Sequence, residues 1–338
     1  MRDPLSFRHE VAALPTGSWV VIDEVQKLPS LLDEVHDLLA AHPKRLRFAL
    51  TGSSARKLKR GNVNLLAGRV ITRRFAPLTA SELDYDVEVD DLIRFGGLPL
   101  VRSEPTEAGR VDLLEAYVET YLTQEIRAEA LVRNLDSFAR FLEVAALSNA
   151  QVTNVAGISR DAAVARPTAQ GYFDVLVDTL LGTWLPAWRP RAKVKEVQHP
   201  KFYFFDTGAV RGLARRLREP LEGEERGHLL ETLVLHELRA YQNVSSCGGD
   251  LAYWRTPSNT EVDFVWTRGR RAVAMEVKAS TRWRREFAYG LKELSAAGVT
   301  SRSVGVYLGR ARLQDDVVDV FPLMDFLREL DAGRIIGS

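Results

Sequence analysis

The chain has 338 residues, 46% of them hydrophobic, enough to bury two or three separate cores. Its 46 Lys and Arg nearly cancel 45 Asp and Glu, leaving a net charge of +1, so contact with nucleic acid must come from local patches rather than a global field. The lone Cys247 excludes an internal disulfide framework and a thiolate zinc cluster, and no signal-type or membrane-length apolar run occurs, so the expected setting is the cytoplasm, with no membrane.

The front third alternates short apolar runs with helical spacing, as a parallel α/β sheet does. "WVVID" and "RFALTGSS" read as buried strands; "LLDEVHDLLAAH" between them places Leu31, Val35, Leu38 and Leu39 on one helical side. From about Pro77 the pattern turns helical, broken by "GGLPL" and resumed around "LLEAYVETYLTQEI". Leu135 to Leu181 holds three short helices, "SFARFLEVAALSN", "NVAGISRDAAV" and one starting near Pro167, a spacing that suggests a helix-turn-helix. From Lys201 strands ("KFYFFD", "EVDFVW", "AVAMEVKAS", "SVGVYLG") mix with helices at "GHLLETLVLHELRAYQ" and "EFAYGLKELSAAG".

Asp23 and Glu24 end the first strand, where a nucleotide-hydrolysing site presents one acid to magnesium and a second to the attacking water. A solvated acidic turn would read the same way on its own. One step later Ser53 and Ser54 stand where a γ-phosphate sensor would sit, and Arg69 of "LAGR" could stabilise charge on a transferring phosphate.

Together "VVIDEVQKLP", "LTGSSARKL", "LAGR", "GGLP" and "KFYFFDTG" resemble the prokaryotic AAA-family ATPases whose C-terminal domain of unknown function is related to restriction-endonuclease folds. The resemblance implies an α/β fold in four parts: a partial AAA P-loop ATPase sheet at 1–75, a helical lid or linker at 76–134, a winged helix-turn-helix at 135–200 and an α/β restriction-endonuclease-like domain at 201–338. It makes Asp23 and Glu24 the Walker B acids, with ATP and Mg²⁺ the cofactors of complete relatives. The phosphate-cradling G-x-x-x-x-G-K-[ST] loop has no counterpart, because no Gly-Lys pair occurs in the 338 residues. That loop is therefore expected upstream of Met1, and this chain is expected to be ATPase-incompetent.

Two further groups carry chemistry. Arg189, Arg191, Lys193 and Lys195 recur at period two in "WRPRAKVKEV", so an extended wing would aim all four at DNA phosphates. An edge strand kept soluble by cations has the same pattern. Near the C-terminus Glu276 and Lys278 share a strand face, Asp263 lies on the preceding strand and Glu231 on a helix before it. A helix Glu, an Asp, then Glu-x-Lys is the order of a magnesium-dependent nuclease, in which Asp263 and Glu276 would hold Mg²⁺ or Mn²⁺ and Lys278 would orient water or stabilise charge. Arg268, Arg270, Arg271, Arg282, Arg284 and Arg285 could supply a backbone-binding rim or equally be ordinary surface arginines. Two functions follow: a nuclease-like enzyme of nucleic-acid metabolism, or a non-catalytic DNA-binding or protein-interaction module with degenerate sites, either of them open to self-association.

Overall fold

The computed structural model describes residues 4–52, 70–122, 134–190, 199–221 and 223–337. The chain divides into two compact units, 1–72 with 175–181 and 73–174 with 182–338.

The first unit opens with a helix, α1 (Pro4–Ala12), followed by β1 (Trp19–Ile22), α2 (Ser30–Ala41) and β2 (Arg47–Leu50). β1 and β2 are parallel, Trp19 opposite Arg47 and Ile22 opposite Leu50, and a parallel pair needs the crossover that α2 supplies. Leu31, Leu32 and Val35 of α2 are buried with Ile22, Val25, Leu46 and the α1 residues Phe7 and Val11. Phe7 and Val11 are four apart, one helical face, which is the signal for α1 that the strand-and-helix pattern of the sequence passes over.

In the second unit α3 (Val89–Phe95), α4 (Pro99–Ser103) and α5 (Glu107–Ala116) run into a π-helical turn at Tyr117–Leu122. Three helices follow, α6 (Leu135–Leu147), α7 (Val155–Asp161) and α8 (Arg166–Asp178). Asn134 and Asn154 cap the first two, accepting from Ser137 N and Gly157 N at 3.0 Å each. β3 (Gly182–Leu185) and β4 (Lys201–Phe204) pair antiparallel, and Val152 bridges to Lys201. Phe202 of β4 meets Phe173 and Trp184 at ring separations of 4.7 and 4.9 Å, edge to face, so this segment is closed by aromatic packing.

α9 (Thr207–Leu213) and the long α10 (Gly223–Ser245) lead to a six-stranded sheet ordered β5-β6-β7-β8-β10-β9. β5 (Asp250–Arg255), β6 (Glu261–Arg268) and β7 (Arg271–Lys278) form an antiparallel meander. α11 (Tyr289–Ala296) then crosses to β8 (Arg302–Tyr307), parallel to β7, and β10 (Val318–Pro322) adds in parallel beyond it, with β9 (Leu313–Asp315) on its edge and α12 (Leu323–Asp331) last. Ala272 and Ala274 pack with Leu291 and Leu294 of α11, so alternation aims Glu276 and Lys278 to that same side. The burial of Val273, Met275 and Val277 on the opposite side completes a strand covered on both faces.

Two sequence motifs far apart in the chain interlock within this unit. Asp206 Oδ2 accepts from Gly97 N at 2.7 Å while its Oδ1 caps α9 through Ala209 N at 2.9 Å, and Thr207 donates to Leu92 O at 2.7 Å. Gly96 has φ +70, and a Cβ there would meet Asp206 Oδ1 at 2.1 Å; one on Gly208 would meet Phe95 O at 2.3 Å. "GGLP" and "DTG" are thus two halves of one clasp, and their glycines are backbone requirements. A second clasp joins Ala80 N to Glu237 of α10 at 2.8 Å.

Candidate functional site

In the first unit Asp23 and Glu24 follow β1, and Thr51 follows β2. Thr51 Oγ1 donates to Asp23 Oδ1 and accepts from Glu24 N at 3.0 Å. That bond steadies Glu24 in a left-handed conformation, φ 53, unusual outside glycine. Lys27 lies 3.8 Å from the Glu24 carboxylate. Thr51 is thus the residue that meets the acid pair, one the motif reading quoted without singling out; Ser53, Ser54 and Arg69 lie outside the described residues.

The denser constellation is in the second unit, at the end of the meander. Along β5 the step from Ala252 to Trp254 matches three residues of β6, Val265 to Val262, so β6 carries an extra residue at Asp263 and Phe264. Such a bulge re-aims a side chain. Asp263, buried, turns its Oδ2 onto the backbone N of Val277 at 2.7 Å, between Glu276 and Lys278. Lys278 Nζ bonds Glu276 Oε1 and stands 4.0 Å from Asp263 Oδ2. Glu276 Oε2 is buried with no hydrogen-bond partner among the described residues.

Glu231, on α10, accepts at Oε2 from Tyr203 OH at 2.9 Å and Lys201 Nζ at 3.2 Å. Lys201 Nζ also pairs with Glu261 Oε1 at 2.5 Å, and Arg255 holds the other Glu261 oxygen at 3.3 Å. Lys201 and Glu261 are not legible as site residues in sequence; a lysine opening an otherwise aromatic strand, "KFYFF", is the one signal for the first.

The charges account for the titration behaviour. Burial, then Asp263, holds the Glu276 carboxyl well above the usual carboxylate range, against the pull of Lys278. Burial opposes the charge on Lys278, but Asp263 and Glu276 outweigh it and raise its pKa. Burial likewise lifts Glu231 to about 7 despite Lys201. When both are ionised, Asp263 and Glu276 bring two charges against the single charge of Lys278, and a bare buried acid oxygen calls for a proton, a water or a cation. A hard divalent ion fits that donor set. Among the described residues no three His, Cys, Asp or Glu side chains are grouped to hold a metal, so such an ion would rest on the two acids and take its other oxygens from water or substrate, as Mg²⁺ commonly does.

The basic residues divide. Arg282, Arg284 and Arg285 follow Lys278 and are exposed at the acid end. Arg268 and Arg271 pair across the opposite end of β6 and β7, five residues from Asp263, which is about 16 Å along a strand, so the six arginines do not gather at one end of the sheet. Arg189 is exposed; Arg191, Lys193 and Lys195 lie outside the described residues.

Residues 4–84 match the model of an AAA domain, residues 87–219 a domain of unknown function (DUF8612) and residues 226–326 another (DUF4143). Residues 4–84 are therefore similar to an AAA domain, and residues 226–326 to a domain of unknown function. Uncharacterized proteins of Mycobacterium tuberculosis and Mycobacterium bovis are each 27% identical over 327 residues, a match covering 94% of this chain and 69% of theirs. A crystal structure of a Vibrio cholerae protein aligns with 93% of this chain and 89% of its own at 14% identity, with a TM-score of 0.25. AAA domains generally bind ATP with Mg²⁺. No described helix is long and apolar enough to cross a membrane.

Proposed function

We propose that this AAA-related chain carries a nuclease-like site in its second unit and acts on nucleic acid, with Asp263, Glu276 and Lys278 at the reacting centre and Glu231 beside them. The observation that carries this reading is the bare, buried Glu276 Oε2 next to Asp263 and Lys278. The element order supports it: helix α10 carries Glu231, β6 Asp263 and β7 Glu276 and Lys278, the chain order that the resemblance to restriction-endonuclease-like domains implies. Three helices followed by an antiparallel strand pair, with Val152 bridged to Lys201, are the order expected of a winged helix, whose wing would bring Arg189 to a DNA backbone.

Asp263 and Glu276 would hold Mg²⁺ or Mn²⁺, which when bound supplies Lewis-acid charge and a more acidic water. The bulge and the Val277 N–H fix Asp263 in place. Lys278, partly exposed, offers its remaining N–H bonds to a phosphate oxygen or to the attacking water. Arg282 and Arg284 would hold flanking phosphates.

Metal binding is testable without turnover. Mn²⁺ at a hundredfold excess over its dissociation constant should stabilise the full chain by about 2.7 kcal/mol, read as a rise in melting temperature. Glu276→Gln should remove most of the rise and Lys278→Ala should keep it, because an ammonium is not a ligand. A melting curve indifferent to Mn²⁺ and Mg²⁺ contradicts the reading.

The first unit is proposed to be inactive within these 338 residues. Its acids lack a Gly-Lys phosphate cradle, so this polypeptide should hydrolyse ATP no faster than background, and Glu24→Gln should change nothing in a phosphate-release assay. Magnesium-dependent turnover removed by that substitution would contradict it. A second reading, a DNA-binding or protein-interaction module with degenerate sites, is favoured by one observation: Lys278 spans both acids and already neutralises part of their charge.

A further inference from the structure

We propose that Lys201 is a positioning residue of the acid site, holding the Glu231 and Glu261 carboxylates in place from β4. Its consequence for metal and substrate rests on the nuclease-like reading; the holding itself does not.

Lys201 is 3% exposed, and an ammonium so buried is tolerated only when paired and hydrogen-bonded. Its partners come from two other elements, Glu231 of α10 at 3.2 Å and Glu261 of β6 at 2.5 Å, and its Nζ stands 5.4 Å from the Tyr253 ring of β5. Period two along β4 puts Lys201 and Tyr203 on one side, and both bond the same oxygen, Glu231 Oε2. Pinned at one corner by two donors, the carboxylate has its remaining direction set. The opposite side of β4, Phe202 and Phe204, belongs to the aromatic packing, at a ring separation of 5.4 Å.

A buried ion pair is weak evidence for stability as such, since well-packed apolar residues commonly serve that end as well or better. What the lysine adds is location. Tyr253, whose ring it faces, accepts from Trp188 N at 2.6 Å, donates from its own N to Pro186 O at 2.9 Å and from its hydroxyl to His199 O at 2.5 Å. Both ends of the segment between β3 and β4 are thus tied to β5, beside the bulge that aims Asp263. Lys201 joins that anchorage to the acids.

The test uses the full chain as wild type, Lys201→Met, Lys201→Arg and the double variant Lys201→Met with Glu231→Gln. Without metal, Lys201→Met should melt lower, and the double variant should recover much of the loss because the unpaired buried carboxylate has gone with its partner. A double variant melting no higher than Lys201→Met overturns the proposal. In Mn²⁺ titrations read by melting, Lys201→Met should raise the half-saturating concentration severalfold, less than the roughly 10- to 100-fold seen on losing a ligand's own partner because Lys201 bonds neither Asp263 nor Glu276, while Lys201→Arg stays near wild type. A lowered melting point with unchanged Mn²⁺ half-saturation overturns the positioning role and leaves a structural lysine. If wild type ignores Mn²⁺ while the double variant still recovers, the nuclease-like reading fails and the holding of Glu231 stands. Should Lys201→Met not fold, Lys201→Arg and the double variant give the same decision.

Discussion

Asp206→Ala should destabilise the second unit by about 3 kcal/mol, measured by urea unfolding, because it strands two buried donors and removes a helix cap. Asp206 is buried, and its two oxygens are divided between Gly97 N and Ala209 N, which no neutral side chain of that size can match. Asn offers one acceptor and turns its amide against the second donor, so Asp206→Asn should fall between wild type and Ala. The carboxylate is retained against a cost: burial raises its pKa, and the backbone N–H groups only partly offset that. A loss of a few tenths of a kcal/mol for Ala would mean that the "GGLP" and "DTG" segments hold together by packing alone.

Glu237→Gln should stabilise the protein at pH 8 by roughly 3 kcal/mol and make little difference near pH 5. Burial lifts the Glu237 carboxyl to about 7, its bond from Ala80 N opposes the shift, and Glu82 and Asp331 add to it. An acid whose folded pKa lies above its unfolded one binds more protons when folded. Its stabilising contribution is therefore whole below pH 4.5 and is lost as pH rises to about 7 and beyond. Glutamine keeps an acceptor for Ala80 without the titration. His236, next on the same helix, has the opposite slope: burial lowers it to about 4, so stability falls as pH drops below 6.5, where the unfolded chain takes up a proton that the folded one resists. Unfolding curves at pH 5 to 8 should show the wild-type decline become shallower in Glu237→Gln, with the share due to the raised Glu231 and Glu276 remaining, while the acid-side decline persists.

Periodicity carried the elements with strong one-sided burial. α2, α6, α10 and the strands β6, β7 and β8 lie within a few residues of "LLDEVHDLLAAH", "SFARFLEVAALSN", "GHLLETLVLHELRAYQ", "EVDFVW", "AVAMEVKAS" and "SVGVYLG". β5 and β10 were not legible: "DLAYWR" and "VDVFP" are short, and their strand character comes from neighbours in the sheet rather than from their own pattern. The acids Asp263 and Glu276 were legible as a pair, but the bulge that turns Asp263 onto Val277 N depends on a pairing register no single strand encodes. Lys201 escaped for the same reason: its partners lie 30 and 60 residues further along the chain. The "GGLP" and "DTG" motifs, visible at once as text, bear on the site only indirectly, by locking the segment around Gly97 to the start of α9.

The central claim is that Asp263, Glu276 and Lys278 cleave a phosphodiester backbone with a divalent ion. It is tested most directly by incubating the full chain with end-labelled single- and double-stranded DNA and Mn²⁺ and resolving the products. Metal-dependent cleavage of at least one substrate is expected, falling about 10²- to 10³-fold in both Asp263→Ala and Lys278→Ala, with Lys278→Ala keeping its Mn²⁺-induced rise in melting temperature. DNA bound but left intact by wild type, or cleaved equally well by Asp263→Ala, would contradict it.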